Sequence, residues 1–285
     1  MRASDTWSPP GAVAPSALEA ARLELHWAIQ AVDVVGRSLI EPEPDASHIA
    51  LTWLDELGAL ASARIADGSR AALRLGSVEL LVLDASGHPA DRLSLAGITL
   101  AVGAAWVRGR MAARLDARPR WARHHPDIPD APAGHGQPFG PPSAAHAELA
   151  RWYGNAARAL GAVADADSRA GPVRVWPHHF DMATFVNLDP ALAQYEGRSV
   201  NVGFSPGDAT FAEPYFYVVP YPPPAAESLP PLEGPGAWHV EGWLGAVLSA
   251  GEVVRRSPEG QRAVVTSFLD HATSVLERAL GADDR

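Results

Sequence analysis

Apolar positions recur at helical spacing in the first stretch of the chain. Leu18, Leu25, Ile29, Val32 and Leu39 mark one stripe, Ser16 stands where an N-cap would, and Glu19 completes a capping box, which predicts a helix over 16–38. Three more helices are predicted at 98–117, at 144–164 and from Ser257 to about Leu280, the third with Leu149, Trp152, Tyr153, Ala156 and Leu160 on one side. Short β-rich runs lie between the first two helices, at 48–54, 61–65, 71–75, 78–84 and near 93–95, with turn chemistry over 85–91. Strands and helices without regular βαβ alternation give an α+β class: mixed or antiparallel sheets packed with about four long helices.

A different period appears further on. Residues 172–183 read P-V-R-V-W-P-H-H-F-D-M-A, and 214–222 read P-Y-F-Y-V-V-P-Y-P behind the turn G-F-S-P-G-D at 203–208. Alternation at two residues predicts strands, with i and i+2 sharing a face. Trp176, His178 and Phe180 then share one face and His179 and Asp181 the other; Tyr215 and Tyr217 fall opposite Phe216. Residues 220–235 form a proline-rich loop, and 238–248 read as strand.

These patterns suggest a tail at 1–15 without packed structure and one globular domain over 16–285. Subdomains about 16–117 and 143–285 would be joined by the proline-rich excursion 118–142, whose seven prolines carry no periodicity.

Composition removes several chemistries. The chain has no cysteine, so disulfides, thiolate nucleophiles and cysteine-held iron–sulfur clusters have no residue to use. It has no lysine either, which excludes a pyridoxal phosphate Schiff base and a lysine-bearing phosphate loop. A net charge of −10 opposes a nucleic-acid partner. The arginines at 108, 110, 114, 118 and 120 read as a solvated helix end rather than an anion site. The longest apolar window, between Arg92 and Arg108, is too short for a membrane span, and residues 1–15 lack a signal-peptide core, so a cytoplasmic protein is expected.

Candidate chemistry gathers in the period-two segments. His179 and Asp181 are candidate catalytic residues, or ligands of a divalent metal that His26, His239, Glu241 or Glu213 could complete. Arg174, Trp176, His178, Phe180, Tyr215 and Tyr217 are candidate lining residues of an aromatic pocket for a small molecule. A second histidine group, His124-His125-x-Asp127, lies in the excursion and reads as solvated loop. The G-x-S-x-G string at 203–207 is no nucleophile elbow, because Pro206 follows the serine and has no N–H for an oxyanion.

Residues 172–183 resemble P-V-H-F-F-W-G-S-F-D-L-A, and 203–207 with 214–222 resemble G-F-W-P-G followed by P-A-F-Y-A-Y-A-Y-P, segments of the bacterial domain of unknown function family 5996. Weaker similarity lies at 25–30 (L-H-W-A-I-Q), at Ser47-His48 and in the helix at 146–152. The resemblance implies a shared fold and carries no activity. Phe180, Asp181 and Ala183 match; Pro177-His178-His179 replace Trp-Gly-Ser, and Arg174 replaces His, so a histidine metal site here is not a family property. Two functions follow as expectations: a small-molecule site with acid–base or metal-assisted hydrolytic chemistry, or a non-catalytic interaction surface. The sequence leaves the oligomeric state open.

Overall fold

The computed structural model describes residues 6–115, 119–192 and 196–282. The chain divides into two compact units, each assembled from separated segments. The first holds Ala12–Arg151 and Arg174–Phe180; the second holds Arg2–Gly11, Trp152–Val173 and Asp181–Arg285. The boundary thus falls at residue 151, inside a helix, rather than in the excursion 118–142.

The first unit is built on an antiparallel meander of β1 (Thr52–Leu54), β2 (Ala59–Ala61), β3 (Arg70–Arg74), β4 (Glu79–Leu83) and β5 (Pro89–Ser94). Each face carries a group of apolar side chains. Ala59, Ala61, Ala72, Leu81 and Leu83 form a cluster closed by Leu54 and Leu57. On the other face Leu80 approaches Gly103 of α3 (Leu100–Ala112), where a Cβ would lie 3.2 Å from a Leu80 methyl. Helices α1 (Glu19–Ala28) and α2 (Gln30–Leu39) are nearly one rod, interrupted only at Ile29. Counted as one rod, they bring the long helices to the number the pattern predicts. Ser16 does not cap it: Pro15–Ala17 is a 3-10 turn, and α1 starts from Leu18 without a side-chain cap.

The rod is central. Every residue from 25 to 36 is buried, so it is covered all round instead of along one stripe. Part of the cover is the excursion, which packs as a strap. Trp27 Nε1 donates to the Pro129 carbonyl at 2.8 Å, Gly140 N to Glu24 Oε1 at 2.5 Å, and Ala122 N to Ser38 Oγ at 2.9 Å. His146 Nε2 reaches the other Glu24 oxygen at 3.1 Å, and this bond together with the Gly140 amide holds the Glu24 carboxyl below its usual range against the cost of burial. Gly134 sits under the Trp27 indole, where a Cβ would come within 2.4 Å of the ring. The excursion lacks periodicity because its order comes from hydrogen bonds to the rod and not from a secondary-structure ladder.

In the second unit the strands run β10 (Ala237–His239), β11 (Gly245–Ser249), β9 (Tyr215–Tyr221), β8 (Ser199–Ser205), β7 (Asp181–Asn187), each neighbouring pair antiparallel. The register sends Phe204, Phe216, Val218 and Leu248 to a buried face against α6 (Pro258–Ala279) and the Trp152 end of α4 (Ala144–Ala166). Trp152 stacks on Phe204 with ring centroids 6.2 Å apart, and Tyr153 meets the same ring edge-on at 5.4 Å. Ser257 caps α6 as its position in the sequence predicts, accepting from Gly260 N. Residues 6–11 are not a loose tail. Asn155 clamps both backbone groups of Ser8 at 3.0 and 2.7 Å, and Gln261 donates to the Pro10 carbonyl at 3.2 Å. Residues 1–5 of the expected tail lie outside the described residues. No helix among the described residues is long and apolar enough to cross a membrane.

Candidate functional site

The first unit carries an unusual row of side chains on its central rod. His26, Gln30, Asp33 and Arg37 stand at i, i+4, i+7 and i+11, hence on one face. The first three are nearly inaccessible, with relative exposures of 3%, 1% and 1%. Polar groups so placed cost free energy unless each finds a partner.

Some of these groups are partnered. The Pro177 carbonyl accepts from His26 Nε2 at 3.1 Å and from Gln30 Nε2 at 2.8 Å. Arg37 Nε donates to Asp33 Oδ2 at 2.5 Å. Others are not. Gln30 Oε1, Asp33 Oδ1, Arg37 Nη2 and His178 Nδ1 are all shielded from solvent with no hydrogen-bond partner in the protein. Two bare acceptors, one bare guanidinium nitrogen and one bare imidazole nitrogen remain in this polar seam.

His178 reaches the seam because the predicted strand breaks. Residues 177–180 are a turn: Pro177 has no N–H to give a ladder, and the amides of His179 and Phe180 both return to the Trp176 carbonyl, at 3.2 and 2.7 Å. Phe180 ends the turn in the left-handed region with φ 59°, and its ring, fully buried, stacks on His26 at 5.1 Å. Alternation therefore does not run from Trp176 to Asp181, and the face-sharing that paired His179 with Asp181 loses its basis. His178 instead lies against His179 (4.3 Å), Trp176 (6.2 Å) and His125 of the strap (4.9 Å). The second histidine group, expected to be solvated loop, thus borders the seam; His125 is also fixed by the Asp127 amide, which donates to its Nδ1 at 3.2 Å.

The electrostatics follow from burial. Desolvation pushes the His26 pKa down to about 4, against the opposing bond to Pro177. It also pushes His178 down to about 4, with His179, His125, Arg37 and His26 adding repulsion to its cation. Both imidazoles are neutral at pH 7. Burial raises the Asp33 pKa even though Arg37 and the two strap histidines oppose it. Groups with pKa values displaced toward one another, next to unpaired polar atoms, have the character of an acid–base site.

The remaining candidates separate. Arg174 is taken up by Asp45, at 2.8 Å, and sits in β6 (Arg174–Trp176), where Val175 exchanges backbone hydrogen bonds with Leu51. Asp181, Tyr215 and Tyr217 belong to the second unit, on the sheet face opposite Phe216, as the alternation predicts. Tyr217 crosses over Gly203 and donates to Asp181 Oδ2 at 2.6 Å; Tyr215 donates to Asp208 Oδ2 at 2.5 Å. Burial, then Asp208, raises the Tyr215 pKa, so that phenol stays protonated. Ser205 is buried and accepts from Gly207 N at 3.2 Å within a turn, which fits the rejection of an elbow. Arg110 and Arg114 lie within 3.5 and 3.7 Å of Asp91, and Arg118 lies outside the described residues.

Among the described residues no three His, Asp or Glu side chains are grouped so as to hold a metal ion. Sequence reading named His26, His125 and His178 but missed Gln30, Asp33 and Arg37. The available signal was their helical spacing from His26, inside a run whose intervening residues are apolar. No family model, curated protein or solved structure matches the chain.

Proposed function

We propose that this chain is a cytoplasmic small-molecule-binding protein whose first unit holds a small polar ligand in the seam and acts on it by general acid–base chemistry. The observation that carries this reading is the set of four buried, unpartnered polar atoms on Gln30, Asp33, Arg37 and His178. Native interiors leave few such groups, and a ligand with matching donors and acceptors removes their cost. In this reading neutral His178 accepts a proton at Nδ1 from bound ligand or water. Asp33, whose protonated form burial favours, supplies one, and Arg37 orients its carboxyl. His26 and Gln30 fix the turn that presents His178, through the Pro177 carbonyl. Trp176 and Phe180 are the aromatic walls.

The interaction-surface reading has less support. The exposed large apolar side chains among the described residues, Val102, Leu192, Tyr221 and Val240, are single positions on separate segments. Kinship with the domain of unknown function family 5996 is likewise a proposal resting on the motifs at 172–183 and 203–222.

The test is a screen of ester, amide, phosphomonoester and glycoside substrates with the wild type, His178→Ala and Asp33→Asn. Turnover of one class, reduced at least 100-fold in both folded variants, is the expected result, in line with the usual contribution of a positioned acid or base. Absence of turnover, or turnover indifferent to both substitutions, would remove the catalytic part.

A further inference from the structure

The second unit has a cleft of its own that shares no residue with the seam. It occupies about 490 Å³ at the open end of the sheet, over Val247 and Ser249 of β11, with Phe211, Trp238, His239 and Glu252 around it.

Its walls are fixed before any ligand arrives. The Trp238 indole donates to the Pro230 carbonyl at 2.8 Å. The Phe211 ring is held between Tyr215, at 4.8 Å, and His239, at 5.2 Å, while His239 packs on Trp243 at 4.4 Å. A pocket with prearranged rings loses little conformational freedom on binding.

The one charged lining side chain, apart from the imidazole, is acidic. Glu252 brings a carboxylate, whose Oε1 is ion-paired with Arg255. Ser249 Oγ already accepts from the Glu252 amide at 3.4 Å. His239 Nε2 is shielded from solvent and has no partner. No arginine is among the lining residues. Aromatic faces are negative at their centres, and beside a carboxylate they make an electron-rich cleft that disfavours anions.

We propose that this cleft binds a small organic ammonium ion, a cation carrying apolar substituents, with Phe211 and Trp238 against the substituents and Glu252 facing the charge. Aromatic walls beside one carboxylate suit a diffuse, weakly hydrated cation better than a metal ion, which prefers several oxygen ligands.

The test uses the full chain, labelled with nitrogen-15, and choline as the probe. The indole N–H of Trp238, assigned by its absence in Trp238→Phe, is followed during titration. Its neutral carbon analogue, 3,3-dimethylbutan-1-ol, has the same shape without charge. Choline is expected to shift the Trp238 signal saturably, with the alcohol at least tenfold weaker. Glu252→Gln, an exposed change that keeps the shape, is expected to weaken choline several-fold and leave the alcohol unaffected. Equal affinity of the two probes, no response to choline, or a Glu252→Gln variant that binds choline as well as the wild type would overturn the assignment.

Discussion

Gly203 lies directly beneath Tyr217, its cross-strand partner, where an added Cβ would sit 2.2 Å from the phenol carbon Cζ. That missing side chain lets the Tyr217 ring lie flat across β8 and reach Asp181 on β7. Gly203→Ala is therefore expected to lower stability by about 1–3 kcal/mol, the range for inserting a methyl into a filled space. It should also release the Tyr217 hydroxyl from Asp181, read as altered tyrosine fluorescence. A second residue-level expectation concerns His26. Its folded pKa of about 4 lies below the ordinary 6.5, so the unfolded chain binds the extra proton first. Stability contributed this way is complete above pH 6.5 and is lost as the pH falls toward 4, by about 3 kcal/mol when complete. His178 acts in the same sense; Asp33, with its raised pKa, acts in the opposite one. His26→Gln, which keeps a donor for Pro177, should flatten the acid-side loss in denaturation midpoints measured between pH 7 and 4. An unchanged slope would mean that His26 is not the buried titrating group.

At the scale of elements, the rod shows what a sequence pattern does and does not contain. Leu25, Ile29 and Val32 announce a helix, and the helix is there. They cannot announce that the opposite side is buried as well, because that depends on the strap, whose cover is made of backbone contacts without a periodic trace. The polar row His26, Gln30, Asp33, Arg37 therefore reads as a solvent face until the strap is in place. The turn at 177–180 was hidden for a related reason: Trp-Pro-His-His-Phe-Asp alternates like a strand, and only Pro177 hinted at the break. Tyr215, Phe216 and Tyr217 alternate in the fold as in the sequence because their ladder is intact on both sides. The rod also yields a stability expectation. Burial outweighs the Arg37 bond in setting the Asp33 pKa, so the carboxylate costs more than its partner returns at neutral pH. Asp33→Asn is expected to melt no lower than wild type at pH 7. Arg37→Ala, which takes the Nε donor away from the buried Asp33 Oδ2, is expected to melt several degrees lower. A large loss in Asp33→Asn would make the pair a structural bridge and weaken its functional role.

Over the whole molecule, the two units are discontinuous in sequence, and this is where local pattern was least informative. Composition pointed to a boundary in the excursion, but that segment belongs wholly with the first unit, and the chain enters the second unit in three pieces. The shortest piece, at residues 6–11, is joined to it by Asn155, a fully buried amide bonded to both backbone groups of Ser8. Asn155→Ala should cost on the order of 1–3 kcal/mol, the penalty for leaving buried backbone groups unpaired, and should make the bonds before residue 12 more susceptible to limited proteolysis. The packing of residues 6–11 and of the excursion has one cause: both depend on hydrogen bonds between positions 84 to 251 apart, which no window of sequence displays. The central claim is that the seam of the first unit is built for a ligand. It is tested most directly by equilibrium dialysis of the wild type and of Asp33→Asn/His178→Ala against a mixture of polar metabolites, with mass-spectrometric readout. At least one compound enriched by the wild type and not by the folded double variant is the result expected; no enrichment, or the same enrichment by both proteins, would contradict it.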